Sequence, residues 1–248
     1  MSIVIEDMAT WPAEIVEYLD KSHSSFLGWE TSDENRVPPQ EYDKAVYDFR
    51  RVLKPFHLIG YHCTKLTKDE IEEIRLNGMI LQDLESLTKR IEQLKLAGVI
   101  SGTVASALVE RNQANDSNRA RMLWFCFFKP YRDSYGIHRF FRSWGGEALY
   151  VNHEGLEVTG RVLKSIGVPC VIEAKVSIES LNEHYYPYSQ MVRVYLSSKG
   201  YIADDGCELE GYSTLNIPAE QIIAVHEYPS DSFRELTHYD QWDSSIAL

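Results

Sequence analysis

Short apolar runs and stretches of helical spacing follow one another along this chain and predict its main elements. Residues 56–64 and 123–128 are apolar, aromatic and β-branched runs, which are typical of buried strands. Helical spacing of apolar residues predicts helices over 81–98, 104–112, 158–166 and 189–198. Further strands are predicted over 146–151, 168–176, 212–217 and 221–228. Helices first and paired strands later indicate an α+β domain with a mixed sheet.

The first strand is followed by a helix with clear start and stop signals. Thr67 and Glu70 have the spacing of a capping box, in which each side chain bonds the backbone N–H of the other residue. Asn77-Gly78 supplies a stop, because glycine adopts positive φ without strain. The unit is predicted to run strand, tight loop, helix.

One polar stretch, residues 30–41, interrupts the apolar N-terminal region and is the only boundary that the composition suggests. We therefore predict a helical N-terminal extension over residues 1–55, followed by a main domain over 56–248.

Composition and charge narrow the class of protein. Hydrophobic residues make up 44% of the chain and aromatics 12%, enough for a sizeable core. No run approaches the roughly 20 apolar residues of a membrane span, and the first residues lack a signal-peptide pattern, so we expect a cytoplasmic protein without membrane contact. A net charge of −12 disfavours general nucleic-acid binding. The four single cysteines are predicted to be reduced core residues.

A candidate site begins with Tyr61-His62-Cys63-Thr64 at the end of the first strand, followed by the capped helix and Asn77-Gly78-Met79-Ile80. This pattern resembles the ADP-ribosyltransferase superfamily, in its diphtheria-toxin and poly(ADP-ribose)-polymerase branch. The resemblance implies a mixed, split β-sheet core that binds NAD as a substrate.

In that branch, His62 would bond a ribose hydroxyl of NAD, and Thr64 with the backbone beside Tyr61 would hold the nicotinamide amide. Cys63 departs from the family's glycine. The alternative for His62 is a buried histidine bonded to a backbone carbonyl.

The resemblance also implies an aromatic ring that stacks on the nicotinamide. The segment 123–135 offers Phe128, Tyr131 and Tyr135, of which we favour Tyr135, while Trp124, Phe125 and Phe127 are predicted to be core residues.

The closing pattern of the family is a glutamate at the start of a late strand, and Glu210 matches it. The resemblance gives Glu210 the catalytic role of binding the 2′-hydroxyl and stabilising an oxocarbenium-like transition state. Glu208 forms a Glu-x-Glu pair with it, and the two carboxylates would face one cleft on an extended segment. The alternative interpretation of Glu208 is a solvated turn residue with no role in the site.

A turn at Arg142-Ser143-Trp144-Gly145-Gly146-Glu147 is outside the resemblance. Its two glycines allow a close-approach turn, which would give Arg142 or Glu147 a role in binding NAD phosphate or the acceptor. A helix stop with an exposed glutamate explains it equally well.

Other chemistries lack their motifs, since the chain has no GxSxG elbow, Walker loop, HExxH or Gly-rich dinucleotide fingerprint, and no metal is indicated. The leading hypothesis is a mono-ADP-ribosyltransferase that uses NAD to modify a protein or nucleic acid, of a toxin or phage-defence type, with an antitoxin or regulator as a possible partner. Two alternatives stay open: an RNA 2′-phosphotransferase-like enzyme, and a non-catalytic binding or immunity protein on the same scaffold.

Overall fold

The computed structural model describes residues 2–30, 36–131, 136–204, 206 and 208–242. These residues form an α+β fold, as the pattern predicted, and its sheet has six strands. The strands are β1 (Ser2–Ile3), β2 (His57–Leu66), β3 (Leu123–Cys126), β4 (Val168–Ser177), β5 (Glu210–Ser213) and β6 (Ile222–Glu227). The helices are α1 (Ala13–Glu30), α2 (Pro39–Leu53), α3 (Lys68–Asn77), α4 (Leu84–Leu96), α5 (Gly102–Glu110), α6 (Ile137–Arg142), α7 (Glu147–His153), α8 (Glu157–Ser165), α9 (Tyr188–Ser198) and α10 (Asp231–Thr237).

The sheet has the strand order β5-β3-β2-β4-β6, and β1 pairs with β2 beside this path. β1 and β2 are parallel, with Ser2 opposite His57, whereas β4 and β6 are antiparallel, with Val171 opposite His226. The sheet is therefore mixed. Residues 58–61 of β2 and 169–172 of β4 form unbroken buried runs. The run in β2 agrees with the buried strand predicted from its apolar residues.

The chain forms two compact units. The first comprises residues 1–60, 126–128 and 175–213, and its helices α1, α2 and α9 pack on one another. Phe26 and Phe49 are fully buried there, and the Tyr195 hydroxyl donates to Asp20 at 2.7 Å. The predicted boundary at residue 55 lies inside this unit, which also takes in later parts of the chain; a separate N-terminal extension stays a prediction.

The second unit comprises residues 61–125, 129–174 and 214–248. Helix α5 packs against both α4 and α8, and α7 also packs against α8. Their shared core contains Ile91, Leu108, Trp144 and Leu163, each at most 1% exposed. Helices α3 and α10 lie against β6 in the same unit.

The start of helix α3 has the predicted capping box, with Thr67 Oγ1 accepting from Glu70 N at 3.3 Å and the Glu70 carboxylate accepting from Thr67 N at 2.8 Å. Gly78 ends the helix with a φ of +80°. A Cβ at this glycine would lie 2.7 Å from the Pro218 carbonyl carbon and closer still to the Ile217 carbonyl oxygen. Gly78 is thus required by both its backbone angle and a close backbone approach.

The strand predicted over 146–151 is wrong, because these residues belong mostly to helix α7. Gly145 and Gly146 both have positive φ, and the Gly146 carbonyl then accepts from Leu149 N at 3.1 Å and Tyr150 N at 3.0 Å. A short apolar run does not distinguish a strand from one buried turn of helix by periodicity. Glu147-Ala148-Leu149 has good helix propensity, which favours a helix after these two glycines.

Three of the four cysteines lie within the described residues, and all three are free thiols, as predicted. Cys126 and Cys170 are buried core residues, whereas Cys63 is only partly buried. Cys207 lies outside the described residues.

Candidate functional site

His62 lies in the middle of β2 and is partly buried. Its Nδ1 is 2.7 Å from the carbonyl oxygen of Trp124 on β3, and its ring meets that of Phe125 edge-on at 5.9 Å. Because a carbonyl only accepts, Nδ1 must carry the proton, and Nε2 is then an acceptor in the neutral ring. Burial lowers the pKa of His62, and the nearby Arg90 guanidinium acts in the same direction. The histidine is therefore neutral at neutral pH.

The contact with Trp124 fulfils the alternative interpretation of His62 as a histidine bonded to a backbone carbonyl. It uses only Nδ1, and no described residue bonds Nε2. The same contact fixes the ring and its tautomer, so that one acceptor nitrogen is left for a hydroxyl donor. A structural role and a ligand-binding role are compatible in this geometry.

The other residues of this segment divide by strand alternation. Thr64 is partly buried and two residues from His62, so the two side chains leave β2 on the same face. Tyr61 is 5% exposed and belongs to the core. The backbone beside Tyr61, rather than its ring, remains the candidate contact for an amide.

Glu210 is the first residue of β5, where a late-strand glutamate was predicted. Its side chain is partly buried, and burial raises the pKa of its carboxyl. No described residue forms an ion pair or a hydrogen bond with it. Glu208 is exposed, and between the two the Leu209 carbonyl accepts from Phe127 N at 2.9 Å. The two glutamates therefore differ in environment, and Glu210 is the desolvated one.

The backbone after Glu210 is in close contact with a turn at residues 183–185. A Cβ on Gly211 would lie 2.8 Å from Tyr185 Cβ and 3.3 Å from a ring carbon of Phe127. The rings of Tyr185 and Tyr212 are 5.4 Å apart, and Asn182 N donates to the Tyr212 carbonyl at 3.3 Å. This packing fixes the strand that carries Glu210.

A charged network that the sequence did not indicate connects helices α3 and α4. Glu70 accepts from Arg90 Nε at 2.7 Å through Oε1, and from Trp144 Nε1 at 2.9 Å through Oε2. The Arg90 guanidinium lies over the Trp144 ring, 4.8 Å from its centroid. Burial alone would raise the pKa of Glu70, but the Arg90 cation and the hydrogen bonds together hold it below its usual value. The capping box was the only sign of Glu70 in the sequence, and nothing marked Arg90.

The turn at residues 142–147 contains one core residue and two polar candidates. Trp144 is fully buried. Glu147 is exposed and pairs with Arg119 at 3.3 Å, and Arg142 is partly buried with no hydrogen bond or ion pair to the described residues. The exposed glutamate agrees with the simpler interpretation of this turn, and a role for Arg142 or Glu147 in binding a ligand stays a prediction.

The aromatic residues proposed to stack on the nicotinamide differ in how deeply they are buried. Phe128 is 3% exposed, a core residue like Phe125 and Phe127, whereas Tyr131 is partly buried with its ring 6.1 Å from that of His238. Tyr135, the favoured ring, lies outside the described residues. Phe128 has little ring surface for a ligand, and the assignment to Tyr135 stays a prediction.

The candidates are distributed over both units. The first unit contains Glu208, Glu210 and Phe128, and the second contains Tyr61, His62, Thr64, Arg142 and Glu147. Within the second unit, His62 and Thr64 share a strand face, and Glu147 belongs to a separate ion pair with Arg119.

Within the described ranges, no helix is long and apolar enough to cross a membrane. The same residues contain no group of three or more His, Cys, Asp or Glu side chains that could hold a metal ion. Comparison with protein-family models, with curated proteins and with solved structures found no match for this chain.

Proposed function

We propose that this protein is an NAD-dependent mono-ADP-ribosyltransferase that transfers ADP-ribose from NAD to a macromolecular acceptor. The observation that carries the proposal is Glu210, a partly buried carboxylate at the start of a late strand with no cationic partner among the described residues. Such a carboxylate is available for positive charge that develops during a reaction.

The chemistry of glycosidic cleavage explains why an unpaired carboxylate is needed. When the bond between nicotinamide and ribose breaks, positive charge grows on the ribose ring as an oxocarbenium-like ion. A carboxylate already paired with Arg or Lys would be partly neutralised, whereas Glu210 in its partly desolvated position attracts this charge strongly. The carboxylate is also an acceptor for the ribose 2′-hydroxyl.

His62 supplies a hydrogen-bond acceptor of fixed orientation. Since Nδ1 donates to the Trp124 carbonyl, Nε2 accepts from a ribose hydroxyl without a change of tautomer. Burial keeps the ring neutral, so it adds no positive charge that would oppose the oxocarbenium ion. Thr64, on the same strand face, would donate its hydroxyl to the nicotinamide amide.

One observation bears on the RNA 2′-phosphotransferase alternative, which needs basic residues in the site. Lys65, next to Thr64, is fully buried, and its ammonium donates to the Lys164 carbonyl. It is not available to an RNA phosphate, which removes one basic residue that this alternative would need. Membership of a toxin or phage-defence system, and an antitoxin or regulator as partner, follow from the resemblance alone.

Release of nicotinamide from NAD by the purified full-length protein tests the proposal, with cell lysate added as a source of acceptor. We expect release by the wild type and a loss of at least 100-fold in Glu210→Gln and about tenfold in His62→Ala. Glu208→Gln is the matched control, because it removes the neighbouring, exposed carboxylate.

No release by the wild type, with or without lysate, together with no NAD binding, would contradict the proposal and favour the non-catalytic binding protein. Equal losses of nicotinamide release in Glu208→Gln and Glu210→Gln would show that Glu210 has no role that Glu208 lacks. Labelled NAD added to lysate then identifies whether the modified acceptor is protein or nucleic acid.

A further inference from the structure

The guanidinium of Arg90 is held rigidly on one side and open on the other. Its Nε donates to the Glu70 carboxylate at 2.7 Å, and its Cζ lies over the Trp144 ring, 4.8 Å from the ring centroid. Nη1 makes one long contact with Gln82 at 3.4 Å, and no described residue accepts from Nη2. The end formed by Nη1 and Nη2 is therefore a nearly unused pair of donors.

Glu70 does not satisfy those remaining donors. Its Oε1 is bonded to Arg90 Nε, and its Oε2 accepts from both Thr67 N and Trp144 Nε1. The carboxylate thus accepts three hydrogen bonds and is fixed at the N-terminus of α3. Glu70 orients Arg90 through its Nε. The second edge of the guanidinium, formed by Nη1 and Nη2, is left for another acceptor.

The second edge is accessible. The side chain of Arg90 is 22% exposed and that of Glu70 is 17% exposed, so the pair sits at the boundary of the core rather than within it. Two parallel N–H groups match two oxygens of a phosphate, and a guanidinium stacked on an indole loses little entropy on binding. In a chain of net charge −12, an anionic ligand needs such a preorganised cation.

Arg90 lies in the same part of the fold as His62. Arg90 is bonded to Glu70 in the capping box that directly follows β2, the strand of His62, and both Arg90 and His62 belong to the second compact unit. In NAD, the ribose that His62 is proposed to bind is joined directly to the diphosphate. A diphosphate-binding arginine is thus expected within electrostatic reach of the ribose-binding histidine.

We infer that Arg90, oriented by Glu70 and Trp144, binds the diphosphate of NAD through its Nη1 and Nη2 groups. This inference rests on the proposed function and assigns to Arg90 the phosphate contact that the sequence pattern had offered to Arg142. Arg90 is a binding residue, and Glu70 is a positioning residue that acts through it.

Equilibrium binding of ADP-ribose and of nicotinamide to the full-length protein tests the inference. We expect Arg90→Gln to raise the Kd for ADP-ribose about 10- to 100-fold, the loss of one or two charge-assisted hydrogen bonds, and to leave nicotinamide binding unchanged. Arg90→Lys keeps a charge near Glu70 but lacks the fork, and its Kd should also rise, by about tenfold. Arg75→Gln is the matched control, since Arg75 is also paired with glutamates but lies on the exposed side of α3.

A second measurement separates binding from folding. In nicotinamide release, Arg90→Lys should raise the KM for NAD and change kcat less than about threefold, which general damage to the fold would not do. Unchanged ADP-ribose affinity in both Arg90 variants, or no ADP-ribose binding by the wild type, would overturn the inference. Binding that depends on Arg90 in a protein that releases no nicotinamide would support this site and contradict the proposed reaction.

Discussion

Glu70 and Trp144 are joined by a hydrogen bond of 2.9 Å from the indole Nε1 to the carboxylate, across a sequence separation of 74 residues. The same carboxylate completes the capping box of α3 and pairs with Arg90. A fully buried tryptophan, a helix start and an arginine therefore depend on one side chain. We expect Glu70 to be important for both the stability of the second unit and the orientation of Arg90.

Replacing Glu70 should be costly. In Glu70→Gln the charge that pairs with Arg90 is lost, and the amide cannot accept from all of Thr67 N, Trp144 Nε1 and Arg90 Nε. We expect the free energy of unfolding to fall by about 2 to 3 kcal/mol in chemical denaturation. Glu73→Gln on the same helix is the control, with a change below about 0.5 kcal/mol, because Glu73 is exposed and its carboxylate accepts from the neighbouring Asn77 side chain. Equal effects of the two changes would show that the network adds no stability.

Two glycines with similar backbone angles should respond differently to alanine. Gly78 has a φ of +80° and Gly98 a φ of +72°, but a Cβ would collide with backbone atoms at Gly78 and meet nothing within 4 Å at Gly98. Gly98→Ala should cost about 1 kcal/mol from its angle alone. Gly78→Ala should cost at least about 3 kcal/mol or prevent folding, because Ile217 and Pro218 must move. Similar melting temperatures of the two variants would contradict the close approach.

The buried Lys65 should make stability depend on pH. Burial lowers the pKa of Lys65 to about 8 in the folded chain, against an ordinary value of 10.5. Between these values the unfolded chain holds more protons than the folded one, so the free energy of unfolding rises with pH. We expect wild type to gain roughly 2 kcal/mol relative to Lys65→Met between about pH 7 and 9.5. A constant difference between the two proteins would mean that the bond to the Lys164 carbonyl keeps the ammonium charged.

Gly211 should be required for activity through the position of Glu210. An alanine there would press on Tyr185 Cβ, which is fixed to the backbone, so β5 or the 183–185 turn must shift. A shift of this size beside a catalytic group should lower the rate of nicotinamide release at least about tenfold. Gly155→Ala is the control, because nothing lies within 4 Å of its added Cβ. Full activity of Gly211→Ala would show that the reaction does not depend on this contact.

Local signals in the sequence predicted the elements around His62 well, whereas the strand predicted over 212–217 is found at Glu210–Ser213. The apolar run of β2 and the Thr67 and Glu70 pair fixed a strand and a helix start, and both are present. These features depend on residues close in sequence, so spacing reveals them. The strand predicted at 146–151 failed because the two positive-φ glycines started a helix where the short apolar run gave no period.

The contacts of the candidate site could not be predicted from the sequence. The bond from His62 to the Trp124 carbonyl joins residues 62 apart, and the bond from Arg90 to Glu70 joins residues 20 apart on two different helices. Such contacts follow from tertiary packing, which no local pattern encodes. Burial likewise separated Glu210 from Glu208, two residues that look equivalent in an acidic segment.

Glu210 is proposed to act on the transition state rather than on the binding of NAD, and one paired measurement tests this role. The Kd for NAD and the single-turnover rate of nicotinamide release would be measured for wild type and Glu210→Gln. We predict a Kd within about threefold of wild type and a rate at least about 100-fold lower, because the amide keeps the shape but loses the charge that stabilises the oxocarbenium-like ion. An unchanged rate of release in Glu210→Gln would contradict this role.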